Sequence, residues 1–165
     1  MRLAVRSALG FALLATLTMA CSGTPAGSAG ASSSASRPSR EACSLLTAED
    51  IQSVLGIAPG ASKLEKVQCI WPAADGSNKF LVQLIVTETM VRSYDELARN
   101  YREELDTDPA TAIHPIPGVG QFAVGFKEMA MVQIYTGSTM VQVSTFEHRE
   151  QHALDLAKRA VARLK

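Results

Sequence analysis

The sequence predicts an α+β fold, a two-layer sandwich in which an antiparallel sheet of about five strands packs against helices. Three observations predict it. Over residues 41–165 the apolar period runs from helical to alternating and back, in the order helix, two strands, helix, three strands, helix. The tetrapeptides TAED and SYDE read as capped helix starts on either side of the first strand pair, and Gly137 with Ser138 reads as a hairpin turn between the last two strands. This segment is of ordinary size for one domain, with a radius of gyration of about 14 Å if compact. It contains no internal repeat.

From the N-terminus, Arg2 and Arg6 form a basic head, and the 13 residues from Ala8 to Ala20 carry no charge. That is the pattern of a secretory signal at 1–20, since a spanning helix requires about 20 predominantly apolar residues. The following TMAC resembles the lipobox of bacterial lipoproteins, with Thr18 where such boxes usually carry Leu. The resemblance implies that Cys21 is acylated and begins the mature chain; an ordinary cleaved signal with an incidental cysteine, or a cytoplasmic chain, are the alternatives. Residues 22–40, SGTPAGSAGASSSASRPSR, have no aromatic, no aliphatic larger than Ala and no acidic residue. They have nothing to bury and read as a tether, with a span of roughly 24 Å and a reach of about 65 Å. Lipidated cysteine and tether thus occupy 21–40, and a single domain occupies 41–165. The expected location is the extracytoplasmic side of the cell membrane, or the outer membrane where the host has two.

The first helix starts at Thr47, whose hydroxyl and the Asp50 carboxylate can cap reciprocally, with Leu46 and Ile51 in the flanking apolar positions and Gly56 as the stop. Ile51, Val54 and Leu55 are its core face. With Cys21 acylated, Cys43 and Cys69 are the remaining thiols of an exported chain, and an oxidising compartment favours their pairing over two buried free cysteines. KLEKVQCIW forms a strand, PAADGSN a turn and FLVQLIVT a second strand, with Phe80, Val82, Leu84 and Val86 on one apolar face. From Ser93, Tyr94, Leu97, Ala98, Tyr101 and Leu105 fall on one helical face, and this helix ends before Pro109. HPIPGVG reads as a fixed turn rather than a regular element. QFAVGF, AMVQIYT and TMVQVSTF are the last strands. A closing helix from about His148 to Leu164 carries a stripe of Ala153, Leu154, Ala157, Ala160, Val161 and Leu164.

This pattern is similar to that of the DUF3558 family of small exported lipoproteins, chiefly actinobacterial. The matching pieces are CSLLT at Cys43 to Thr47, Asp50, Leu55 with Gly56, Cys69 and Trp71 in CIW, PGVGQFA from Pro117, and the closing HALDLAKRAVARL. The resemblance spans 41–165 and implies a Mog1/PsbP-like sandwich, with no family catalytic residues to transfer.

Composition excludes one partner class. The chain has 16 basic and 16 acidic residues, and removing the signal with Arg2 and Arg6 leaves 14 basic ones. No basic stripe is available for a phosphate backbone, so no nucleic-acid partner is expected. His148 and His152 stack on a helix, and Glu147 or Glu150 can add oxygens, but EHREQH also reads as a solvated first turn, and no HExxH or CxxC is present. No metal and no cofactor are expected. Catalytic residues are not assigned either: GxSxG is absent, and the glycines of PIPGVGQFAVG lack the Lys and Ser or Thr of a phosphate loop.

The acidic run Glu103, Glu104, Asp106 and Asp108 admits two readings, a solvated helix end or the carboxylates of an envelope glycan hydrolase. The feature most suited to recognition is a mixed sheet face carrying Gln83, Met129, Met131, Gln133, Tyr135, Met140, Gln142 and Phe146. If helices cover only the apolar face, Gln83, Met131, Gln133, Tyr135 and Gln142 form a site for a small apolar ligand or an envelope protein. If a helix covers part of it, the glutamines simply face water. The expected function is therefore a non-catalytic binding or interaction module, with a glycan hydrolase or a purely structural lipoprotein as the alternatives.

Overall fold

The computed structural model of the protein describes residues 42–146 and 149–164. The expected signal at 1–20, Cys21, the tether to residue 40, Glu147 and His148 lie outside the described residues. Among the described residues no helix is long and apolar enough to cross a membrane.

Helix α1, Ala48–Leu55, begins where the sequence places it. The Asp50 N–H donates to Thr47 Oγ1 at 3.2 Å, the Thr47 N–H donates to the Asp50 carboxylate at 2.9 Å, and Gly56 closes the helix at φ 70°. Eight residues are too few to hold a helix in water, so tertiary ties must hold this one. One is the disulfide between Cys43 and Cys69. Another is Asp50, whose carboxylate accepts from Arg159 and Arg163 at the end of the last helix.

The strands are β1 Lys63–Glu65, β2 Gln68–Trp71, β3 Val82–Glu88, β4 Ile113–Ile116, β5 Phe122–Phe126, β6 Met131–Thr136 and β7 Thr139–Thr145. They form one antiparallel sheet in the order β1-β2-β3-β7-β6-β5-β4. Seven strands replace the expected five for two local reasons. KLEKVQCIW is a hairpin rather than one strand, because Lys66 takes a left-handed conformation at φ 57° and turns the chain back. The expected turn HPIPGVG supplies most of β4, where Pro115 is tolerated because β4 is an edge strand.

The remaining helices are α2, Tyr94–Glu104, a single-turn α3 at Pro109–Ala112, capped by Asp108, and α4, Glu150–Ala162. Ser93 caps α2 through the Glu96 N–H at 3.1 Å, while the Glu96 carboxylate takes the Arg92 N–H at 2.7 Å rather than that of Ser93. Leu105, expected on the core face of α2, lies past its last turn and is exposed.

The main core fills one face of the sheet. Val82, Leu84, Val132, Ile134, Val141 and Val143 meet Ile51 of α1 and Leu156 of α4, all buried. The small side chains of Ala153, Ala157 and Ala160 on α4 let that helix lie close over β6 and β7. Leu156, absent from the expected stripe, is fully buried there.

The opposite face is not bare. Leu97 of α2 packs on Val124, Phe126 and Tyr135, with Tyr94, Tyr101 and Met140 around them. Helices thus lie on both faces, over the main core on one and over part of the other, instead of forming a simple two-layer sandwich. The sequence pattern explains the difference, since β5 carries buried apolar residues on both of its sides.

Candidate functional site

Strand register gathers the mixed residues on the second face. Gln83 lies opposite Ser144, which lies opposite Met131; one step along, Ile85, Gln142 and Gln133 form the next row, and beyond it Thr87, Met140 and Tyr135. Helix α2 covers the Met140 and Tyr135 end. Among the described residues no helix covers the Gln83, Ser144 and Met131 end, and there the surface sinks into a recess of about 400 Å³. Phe80, Met129, Met131 and Phe146 make its apolar walls. Gln83, Gln142 and Ser144 make its polar floor.

Each wall has a local cause. Leu81 and Val82 are both buried in the main core, so the alternation slips one residue before β3 and Phe80 borders the recess instead of continuing the core face. Phe146 is held by its N–H donating to Leu81 O at 3.1 Å, and the Thr145 N–H donates to Ala130 O at 2.9 Å, which sets the loop bearing Met129 beside it. Met129 and Phe146 remain 52% and 49% exposed, an apolar rim that water meets directly. A second recess, about 370 Å³ and bordered by Tyr101, Phe126 and Met129, shares Met129 with the first.

The five residues singled out in the sequence separate into two groups. Gln83, Met131 and Gln142 line the recess. Tyr135 is buried beneath α2 and stacked on Phe122 at 4.2 Å between ring centroids, and Gln133 stands between it and Gln142. The two groups are joined by hydrogen bonds. The Tyr135 hydroxyl donates to Gln133 Oε1 at 2.7 Å, and Gln133 Nε2 donates to Gln142 Oε1 at 2.9 Å. Burial, with a smaller contribution from Tyr101, pushes the Tyr135 phenol up to about 12, so it keeps its proton and acts as the donor. Gln83 Nε2 donates in turn to Gln68 Oε1 on β2.

The chain matches no protein-family model and no curated protein. Its chemistry must be read from the residues themselves.

The acidic run does not converge on the recess. Asp108 caps α3 by accepting the Ala110 N–H at 3.1 Å, and Asp106 and Asp108 border a shallow depression of about 270 Å³ with Arg102, while Glu103 and Glu104 are exposed on α2. Among the described residues no group of three or more His, Cys, Asp or Glu side chains is placed to hold a metal. His152 is half-buried in the first turn of α4, and its expected neighbour His148 lies outside the described residues. His114 instead pairs with Glu150, Nε2 to carboxylate at 3.0 Å, across the closely packed Gly125.

Sequence reasoning missed Phe80 and Ser144 as lining residues. Ser144 was findable, because it sits two places after Gln142 and so on the same face of β7. The slip that places Phe80 had no sequence signal.

Proposed function

We propose that this protein is a cell-envelope lipoprotein, anchored through Cys21 on the extracytoplasmic side, whose domain is a non-catalytic binding module for a small apolar ligand. The observation that carries the reading is the recess at Gln83, Ser144 and Met131: concave, apolar in its walls, and fitted with a few polar groups, as ligand sites commonly are. The lipobox resemblance of TMAC and the tether at 22–40 support the anchor. Resemblance to the DUF3558 lipoproteins, and through them to Mog1/PsbP-like sandwiches, supports the same placement.

Two measurements test the reading. Cys21→Ser should move the protein from the membrane fraction to the soluble extracytoplasmic fraction; retention of the variant in membranes refutes the anchor. Mass spectrometry of the purified protein under native conditions should find an apolar molecule that is lost on Met131→Lys, which sets a charge in the recess wall. If wild type and variant carry the same bound mass, the recess is not the binding site.

A further inference from the structure

We infer that the recess selects a neutral acyl amide, a molecule with one apolar chain and an uncharged carboxamide head, over the corresponding acid or amine. The inference rests on the proposed binding role and adds the chemistry of the ligand. Three features of the floor carry it. First, among the described residues no charged side chain lines the recess, so a carboxylate or ammonium entering it meets no counter-charge among them and loses its water. Second, the hydrogen bonds leading into the floor have a fixed polarity. The Tyr135 hydroxyl is buried and its proton must go to an acceptor, which is Gln133 Oε1. Gln133 is therefore turned to donate through Nε2, and Gln142 receives that bond on its carbonyl oxygen. Gln142 lines the recess, and its amide N–H₂ is the group that this series leaves to donate there.

Third, the neighbouring strand presents the opposite group. Gln83 donates one Nε2 hydrogen to Gln68, and its carbonyl oxygen is the acceptor it can offer on the same floor. Ser144 stands directly opposite Gln83 and two residues from Gln142, and its hydroxyl can serve either role. A donor and an acceptor at diagonal positions of neighbouring strands match the C=O and N–H of one carboxamide. Phe80, Phe146 and the flexible thioethers of Met129 and Met131 then receive the chain. Tyr135 touches none of this ligand and acts as a positioning residue, since it fixes which end of the Gln142 amide faces outward.

The test uses decanamide, decanoate and decylamine as probes, titrated at neutral pH into the purified exported chain labelled with ¹³C at the methionine methyls. Decanamide should shift the Met129 and Met131 signals saturably and leave the exposed Met90 unchanged, with decanoate and decylamine at least tenfold weaker. Gln142→Glu, which removes the donor and adds a charge, should weaken decanamide by at least tenfold. Gln83→Met, which removes one neutral hydrogen bond, should weaken it about fivefold and provides a second variant should the first fail to fold. Tyr135→Phe, which frees Gln142 to turn its carbonyl oxygen to the recess, should lower the preference of decanamide over decylamine, an effect that a merely structural role for the hydroxyl does not produce. Equal or tighter binding of a charged probe at Met129 and Met131 overturns the amide selectivity and leaves the binding module standing. No probe reaching those methyls overturns both. Shifts that follow protein concentration without any probe mean that a second copy covers the recess, and also overturn the inference.

Discussion

Replacing Asp50 by Asn tests how the helices are held against the sheet. The Asp50 side chain is 10% exposed and accepts four hydrogen bonds: from the Thr47 N–H at 2.9 Å, the Thr47 hydroxyl at 3.1 Å, Arg159 Nη1 at 3.1 Å and Arg163 Nη1 at 2.5 Å. A bond to a charged partner contributes about 1.5–3 kcal/mol when buried, but exposed ion pairs contribute about 0–1 kcal/mol. Both arginine side chains are about 40% exposed and rehydrate once released, so each is worth roughly 1 kcal/mol here. Asn keeps one good acceptor for the cap, which sets the loss at about 2 kcal/mol and lowers Tm by roughly 8 °C. The loss should also depend on pH. Arg163 above all, with Thr47 and Arg159 and against the effect of burial, holds the Asp50 carboxyl well below the usual carboxylate range. A carboxylate whose folded value is depressed stabilises the fold fully above its unfolded value, near 3.9, and loses that contribution as the pH falls further. Urea unfolding of wild type and Asp50→Asn should therefore show a constant gap from about pH 8 to 5 that narrows below about pH 4. A gap under about 0.5 kcal/mol at pH 7, or one that persists unchanged at pH 3, would refute the clamp.

Three further changes probe the rest of the scaffold. Removing the Cys43–Cys69 bridge, which closes a sequence separation of 26, should cost about 3.5 kcal/mol on the loop-entropy model, read by urea unfolding of the double Ser variant; the intact protein should gain the mass of two hydrogens on reduction. Gly125→Ala places a methyl 2.6 Å from the His114 ring and against the Glu150 carboxylate, so it should cost about 1–3 kcal/mol, and adding Glu150→Ala should recover part of that loss in thermal unfolding. Leu97→Ala should cost about 2–4 kcal/mol, since Leu97 is the buried anchor of α2. By loosening the cover over Tyr135 it should also bring that phenol down from about 12 toward its ordinary value in an ultraviolet titration.

Much of the fold was legible because its signals are local. The Thr47 and Asp50 cap, the Gly56 stop, the alternation of β3 and β7 and the hairpin at Gly137 each depend on residues within a few positions of one another. The pairing of Cys43 with Cys69 was also legible, although it is long-range, because the lipobox reading of Cys21 left no other partner. The illegible elements are those decided by position in the sheet. Pro115 signals a turn in isolation, and only the placement of β4 at an edge makes it a strand residue. Lys66 carries no glycine or asparagine signature for its left-handed turn, so one strand was read where the chain makes two.

The site was half legible for a related reason. Period-two alternation correctly puts Gln83, Met131, Gln133, Tyr135 and Gln142 on one face, but it cannot say which of them a helix from elsewhere will cover. The apolar stripe of Tyr94, Leu97 and Tyr101 suggests by itself a helix on one shared core, whereas the second face has a core of its own around Val124 and Phe126. That difference changes the role of Tyr135 rather than removing it. An exposed tyrosine on an open sheet would be a contact residue, replaceable by any amphipathic side chain. Buried under Leu97, it becomes the fixed end of a hydrogen-bonded series whose other end, Gln142, is in the recess. The helix that closes most of the face thereby gives direction to the part it leaves uncovered.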